Sequence, residues 1–222
     1  MKCEGCGIEF PDRLNPNGMK NFTTCELCTT ILNCGMPFRY LKANESCFDS
    51  GFAKWFDNNN SLFIHGGVGT GKTWLMSALM RKTVMTPARN IDRNGFYNNG
   101  SLFVSFPTMA MKIRASMNSN TSETEETIVN KYGKIKNLFL DDIGAEKSSE
   151  YMQSILFLLI EMRNTGQKQR TVITSNLSLN MLAQQHGERV ASRISEMCEL
   201  VKLSGADRRL ASQPPPHTWT EA

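Results

Sequence analysis

Long apolar runs are missing from this sequence. The longest unbroken one covers residues 155–160, whereas a membrane-spanning helix needs about 20. No membrane partner is therefore expected. Met1 is followed by Lys2, Cys3 and Glu4 rather than an apolar stretch, so no signal peptide is expected and the default location is cytoplasmic. A strong charge imbalance is also missing. The formal net charge is +4, from 25 Lys and Arg against 21 Asp and Glu, which permits a nucleic-acid partner without arguing for one. No internal repeat is present, which removes stacked-repeat architectures. What remains is an ordinary soluble composition, 40% hydrophobic and 21% charged. At 222 residues the chain can bury one sizeable α/β core with a small appendage, but is short for two full domains.

The charge is unevenly spread. Residues 1–60 hold six Lys and Arg against seven Asp and Glu, so the positive excess lies in residues 61–222. Cysteine is uneven too: four of seven fall in the first 28 residues. They form the pairs Cys3-x-x-Cys6 and Cys25-x-x-Cys28, eighteen residues apart. In a cytosolic setting that spacing reads as metal rather than disulfide. Two knuckles close a tetrahedral S₄ site, whose chemistry selects zinc, with iron or a redox pair as the alternative. Gly5 and Gly7 suit the tight turn of the first knuckle. So few aliphatic residues surround the quartet that metal binding is expected to supply the folding energy. Four thiolates leave no open position, so the role is structural. This segment sets Lys2, Arg13 and Lys20 against Glu4, Glu9, Asp12 and Glu26. That balance favours docking to protein over gripping phosphates. Cys34, Cys47 and Cys198 read as ordinary thiols.

Three regions are expected: a Cys₄ zinc-binding module over residues 1–35, a larger domain over residues 36–211, and a disordered tail over residues 212–222 carrying Pro214, Pro215 and Pro216. Between the module and the first strand lies a connector with scattered aromatics, Phe38, Tyr40, Phe48, Phe52, Trp55 and Phe56. Strands are predicted at residues 62–64, 102–104, 138–140, 172–173 and 200–203. Helices are predicted at 72–84, 108–117, 150–162 and 188–197. Strands alternating with helices imply an α/β fold with a parallel five-stranded sheet covered on both faces.

The sharpest motif follows the first strand. Gly66-Gly67-Val68-Gly69-Thr70-Gly71-Lys72-Thr73 has the spacing of a phosphate-binding loop. Gly66, Gly67, Gly69, Thr70 and Gly71 let backbone N–H groups curl around a β-phosphate. Lys72 reaches the β- and γ-oxygens, and Thr73 offers a hydroxyl to Mg²⁺. The helix that starts there adds its positive end. Leu138-Phe139-Leu140-Asp141-Asp142 is an apolar strand ending in two acids, at the strand end where an α/β sheet presents its ligands. Asp141 is read as holding magnesium through water, and Asp142 as polarising the attacking water. Thr171-Val172-Ile173-Thr174-Ser175-Asn176 repeats the pattern. Asn176 is read as orienting water against the γ-phosphate, with a turn cap as the plainer alternative. ATP, Mg²⁺ and Zn²⁺ are thus the expected cofactors, and Mg-dependent ATP hydrolysis the expected reaction.

Together with Gly187-Glu188-Arg189-Val190-Ala191-Ser192-Arg193-Ile194, Gly205-Ala206-Asp207-Arg208-Arg209 and Met36-Pro37-Phe38-Arg39-Tyr40, these motifs resemble the DnaC/DnaI-type bacterial helicase loaders of the AAA+ class, and their relative IstB, the ATPase subunit of a transposition system. The resemblance runs over about residues 36–210. It implies that Arg193 acts in trans on a neighbouring subunit's γ-phosphate, and hence self-association. It implies that Arg209, with Arg208 as its neighbouring alternative, senses nucleotide in cis. It implies an AAA+ core without a lid, in contrast to DnaA-type initiators. It further implies loading of a hexameric replicative helicase onto single-stranded DNA, with an IstB-like transposition ATPase as the alternative. A zinc-bearing N-terminal module that grips the helicase also fits the loader group. DNA contacts are expected from the helix carrying Lys112 and Arg114, although Met109, Ile113 and Met117 also give it a core-like face. A non-hydrolysing adaptor and a small-molecule kinase are the remaining rivals. The first is separated by an ATPase measurement. The second lacks a visible substrate lid and gives no reason for the arginines.

Overall fold

Runs of branched and aromatic residues flanked by polar ones suit strands buried on both faces, which have no solvent side to make polar. The computed structural model describes residues 2–9, 24–48, 50–57, 60–85, 100–118, 123–145, 149–166, 169–207 and 218–221. In it these runs become β1 (Leu62–Gly66), β2 (Ser101–Ser105), β3 (Asn137–Ile143), β4 (Arg170–Ser175) and β5 (Glu199–Ser204). The sheet order is β2-β3-β4-β1-β5, all parallel, with β6 (Thr218–Glu221) added antiparallel on the outer edge of β5. The expected five parallel strands are present. The expectation of a disordered tail from Ser212 does not hold for its last part. Trp219 lies opposite Leu203 and Thr220 opposite Lys202, because a bare β5 edge offers unpaired backbone groups to a segment rich in β-prone Thr and Trp. Pro214, Pro215 and Pro216 lie outside the described residues.

The helices are α1 (Glu26–Asn33), α2 (Ala53–Asp57), α3 (Lys72–Met85), α4 (Phe106–Asn118), α5 (Glu125–Lys134), α6 (Glu150–Thr165), α7 (Leu179–His186) and α8 (Glu188–Met197). Alternation along the strands divides the core into two layers. Leu62, Ile64, Phe103, Phe139 and Val172 face a cluster with α3 and the N-terminal segment. Phe63, Val104, Leu138, Leu140 and Ile173 face a cluster with α4, α5, α6 and α8. Three helices have side-chain caps that the sequence carries plainly. Thr124, Ser149 and Ser178 accept from the backbone N–H of Thr127, Met152 and Met181.

Two buried arginines tie the layers together, with no carboxylate partner among the described residues. Arg163 on α6 donates to the carbonyls of Tyr132, Ile135 and Arg170 and to the Thr171 hydroxyl. Arg170 donates to Asn60 O and to the Thr83 hydroxyl. Burial alone lowers Arg170 to about 10, and it dominates the fall of Arg163 to the same level.

The N-terminal segment joins the same core. Ile31, Cys34, Met36 and Leu41 are buried in one cluster with Leu75, Met76, Leu79 and Met80 of α3. Phe103 N–H on β2 donates to Cys34 O at 2.7 Å. Gly35 beside it has φ 94°, and a Cβ there would lie 2.7 Å from Phe103 O, so only glycine permits this approach. The connector aromatics also close on one another, Phe48 with Phe52 at 5.1 Å and Phe52 with Trp55 at 5.2 Å between centroids.

Candidate nucleotide and metal sites

β1 ends at Gly66 and α3 begins at Lys72, so Gly66, Gly67, Gly69, Thr70 and Gly71 form the loop between a strand tip and a helix N-terminus. That is the setting in which backbone N–H groups converge on a phosphate. Gly69 has φ 75°, and a Cβ there would sit 1.9 Å from the Asp207 carboxylate, so a side chain is excluded by both backbone and neighbour. The Lys72 ammonium is buried at the loop, 2.7 Å from Gly67 O and 3.0 Å from Gly66 O. Thr70 Oγ1 donates to Gly67 O at 2.9 Å.

β4 lies between β1 and β3, so the loop and the two acids reach one another across its tip. Thr73 Oγ1 donates to Asp141 Oδ1 at 3.0 Å, and Thr174 Oγ1 on β4 donates to the same oxygen at 2.6 Å. Burial pushes the Asp141 carboxyl above its ordinary range, and the charge of Asp142 adds to this. The Thr174 and Thr73 hydroxyls and Lys72 work the other way. A buried carboxylate raised in this way, beside a hydroxyl, suits a divalent cation that would restore its charged form. Thr73 and Asp141 therefore fit the expected Mg²⁺ chemistry.

Asp142 sits in a bulge. The β3–β4 register runs from Leu140 opposite Ile173 to Ile143 opposite Ser175, so Asp141 and Asp142 are accommodated in a loosened stretch. Among the described residues, Asp142 is the one non-glycine with positive φ, at 64°. Its N–H donates to Thr174 Oγ1 at 2.8 Å, and Asn176 Nδ2 donates to its carboxylate at 3.3 Å. Lys72, Thr73, Asp141, Asp142 and Asn176 thus converge at the ends of three strands. Thr174, which holds both acids, lies inside the β4 motif, yet the sequence pattern alone assigns it no role. That role follows from β4 being the middle strand.

Arg193 is not part of that convergence. On α8 it pairs with Glu161 of α6 and Glu196 of its own helix, both at 2.7 Å. Hydrogen bonding to Glu196 and the charge of Glu161 raise it above the ordinary arginine value. Its side chain is 40% exposed, which leaves it available at the surface. Arg208 and Arg209 lie outside the described residues. On α4, Met109 and Ile113 are core, while Lys112, Arg114 and Met117 are exposed; Met117 therefore leaves the core-like face.

The four cysteines of the N-terminal pairs come together. Their sulfurs all lie within 4.8 Å of one another, Cys6 and Cys25 at 3.7 Å. Tetrahedral coordination with bonds of about 2.3 Å would set sulfurs roughly 3.8 Å apart, so the donor set fits zinc. The first pair lies in a tight turn closed by the Lys2–Glu9 bridge. The second opens α1, with Cys25 as its N-cap, so the expected Cys₄ module is a turn against a helix. Burial opposes the Cys3 thiolate, yet N–H groups of Cys25 and Cys6 outweigh it and bring Cys3 down to about 6. Burial and the neighbouring Cys6 and Cys25 push Cys28 up, against Arg81.

A phosphate loop on β1, an acidic tip on β3 and a polar tip on β4 between them define a P-loop nucleotide-binding core of the AAA+ type. A family model described as IstB-like ATP binding protein matches residues 43–214, and the chain belongs to that family. A protein named replicative helicase loader DnaC from Buchnera aphidicola subsp. Baizongia pistaciae is 30% identical over 144 residues, 64% of this chain and 54% of that protein. DnaC of Escherichia coli K12 is 24% identical over the same shares. The chain thus spans about half the length of the curated relatives it matches. Among solved structures, that of DnaI superposes with TM-score 0.58 at 22% identity, over 78% of this chain and 94% of that one. A DnaC helicase loader superposes with TM-score 0.55 at 21% identity, over 73% and 97%. At such identities these structures bear on the fold alone. Among the described residues no helix is long and apolar enough to cross a membrane.

Proposed function

We propose that this chain is a Mg-dependent ATPase that helps place a hexameric replicative helicase on single-stranded DNA. The observation that carries the hydrolytic reading is the Thr73–Asp141–Thr174–Asp142–Asn176 hydrogen-bond chain at the mouth of the phosphate loop. Lys72 and the loop N–H groups bind the β- and γ-phosphates. Thr73 and Asp141 hold the magnesium, which supplies charge neutralisation on the phosphates when bound. Asp142 accepts a proton from the attacking water, and Asn176 orients that water. Arg193 leaves Glu161 and Glu196 to meet the γ-phosphate of a neighbouring copy, and Arg209 reads nucleotide in cis. Cys3, Cys6, Cys25 and Cys28 hold a structural zinc within a module over residues 1–35, joined to an ATPase domain over residues 36–211. The setting is the cytoplasm.

Support for the helicase as partner comes from the relatives named replicative helicase loaders. The family match to IstB-like proteins keeps a transposition ATPase as the second reading. Pulldowns of the chain against the cognate helicase and against the transposase of its host separate the two. Retention of the transposase alone would overturn the loader. DNA binding is assigned to the exposed Lys112 and Arg114 of α4. Replacing both by Gln should weaken single-stranded DNA binding and flatten the slope of log K against log salt by about 1.4, at roughly 0.7 for each phosphate no longer neutralised. An unchanged slope in fluorescence anisotropy would move the DNA-binding surface elsewhere.

A further inference from the structure

One helix belongs to both the phosphate loop and the cysteine site. α3 begins at Lys72, and further along the same helix it places Arg81. Arg81 is 7% exposed. Its Nη1 donates to Leu41 O at 2.9 Å and reaches Cys28 Sγ at 3.9 Å. Among the described residues no carboxylate pairs with it. A buried guanidinium needs an anion or a full set of acceptors. Four thiolates around a divalent ion carry a formal charge of about −2, and among the described residues Arg81 is a cation in contact with that group.

The surrounding packing runs the same way. Cys28, Ile31, Cys34, Met36 and Leu41 are buried against Leu75, Met76, Leu79 and Met80 of α3. Ser77 Oγ of α3 lies 3.1 Å from Met36 Sδ. The segment that starts with the second cysteine pair is therefore the wall against which α3 rests, and the phosphate loop is the N-terminal approach to α3.

We propose that Arg81 is the outer partner of the Cys₄ metal centre, and that through it α3 couples metal at Cys3, Cys6, Cys25 and Cys28 to nucleotide binding at Lys72 and Thr73. This rests on reading the four thiols as a zinc site and the loop as an ATP site. Metal holds the wall closed; its loss leaves Arg81 with the Leu41 carbonyl and frees one side of α3. By linkage the coupling is reciprocal, so bound nucleotide holds the metal more tightly.

The test uses the full chain, zinc release to a colorimetric chelator, and binding of a fluorescent ATP analogue with Mg²⁺. Wild-type protein should carry one zinc, lose nucleotide affinity about fivefold when stripped, and regain it on adding zinc back. Saturating Mg-ATP should slow zinc release severalfold. Arg81→Met should release zinc about tenfold faster, as loss of an outer-shell partner does, and Mg-ATP should no longer slow it. Arg81→Lys, which keeps the charge but not the fork, should fall between. A folded Arg81→Met that releases zinc at the wild-type rate overturns the role of Arg81. Stripped wild type that is still folded and binds nucleotide unchanged overturns the coupling. Wild type that takes up no zinc, yet binds nucleotide, removes the metal reading and this proposal with it while leaving the phosphate loop standing. If Arg81→Met does not fold, the stripped and reloaded wild type and the Mg-ATP effect on release decide alone.

Discussion

Asp142 holds φ 64°, a conformation that costs a non-glycine residue of order 1 kcal/mol and that Asp tolerates better than most. The strain turns its carboxylate toward Asn176 while its N–H is held by Thr174. Asp141 and Asp142 are adjacent in sequence but differ in surroundings. Asp141 is buried between two hydroxyls, and Asp142 is half-buried. The proposed division of roles rests on that difference. Asp142→Asn should bind Mg-ATP near normally and lose at least about 100-fold in turnover, the scale of a lost catalytic base, whereas Lys72→Ala should lose binding as well. Equal losses of affinity in equilibrium titrations of the two variants would contradict that division. Thr174 gives a second residue-level outcome. Thr174→Val removes the donor to Asp141 and the acceptor for the Asp142 N–H, which should cost about 1–3 kcal/mol of stability. It should also lower kcat by roughly tenfold or more with little change in KM, because it displaces both acids rather than the groups that hold phosphate. A variant that only melts earlier, with kcat intact, would make Thr174 purely structural.

At the scale of elements, α8 presents Arg189 and Arg193 on one face and buries Val190, Ala191 and Ile194 on the other. Arg193 is held by acids of α6 and α8, so a trans role requires that pairing to exchange for phosphate. Arg193→Ala should keep nucleotide affinity and lose turnover on the order of 10³-fold, the range for a transition-state arginine. Mixing it with Lys72→Ala chains should restore part of the activity, since each supplies what the other lacks. No recovery across mixing ratios would leave Arg193 as a surface ion pair. The strands and the helices α3, α4, α6 and α8 are legible in the chain because their apolar spacing is local. α1 is not, since it is fixed by its cysteine N-cap and by packing on α3. α5 and α7 are short and polar, and only their Thr124 and Ser178 caps announce them. β6 depends on finding the edge of β5. The phosphate loop is legible because its residues are contiguous. Thr174, Arg81 and Asp207 are not, because each acts on a residue far away in sequence.

At the scale of the whole molecule, the two ends of the charge distribution and the shared core pull in different directions. A near-neutral cysteine segment beside a basic nucleotide-binding core suggests a separable docking module, one whose removal would leave ATP binding intact. Cys3, Cys28 and Ile31 share one buried cluster with Cys34, Met36, Leu41 and α3, so deleting residues 1–33 removes part of the packing on the phosphate-loop helix and confounds docking with folding. A surface change is the cleaner probe. Ile8 is 58% exposed beside Glu9, on a segment, residues 2–9, that sets Lys2 against Glu4 and Glu9. An exposed apolar side chain on a segment with one Lys against two Glu is poorly placed for phosphate and well placed for a protein groove. Ile8→Asp should therefore weaken capture of the cognate helicase about tenfold or more in a pulldown titration, the scale of losing a buried interface anchor. Zinc content, nucleotide affinity and single-stranded DNA affinity should stay at wild-type levels, because Ile8 lies outside the buried core cluster. Loss of DNA binding with capture retained would reverse the assignment, making the cysteine segment the nucleic-acid-binding element and leaving the helicase to another face.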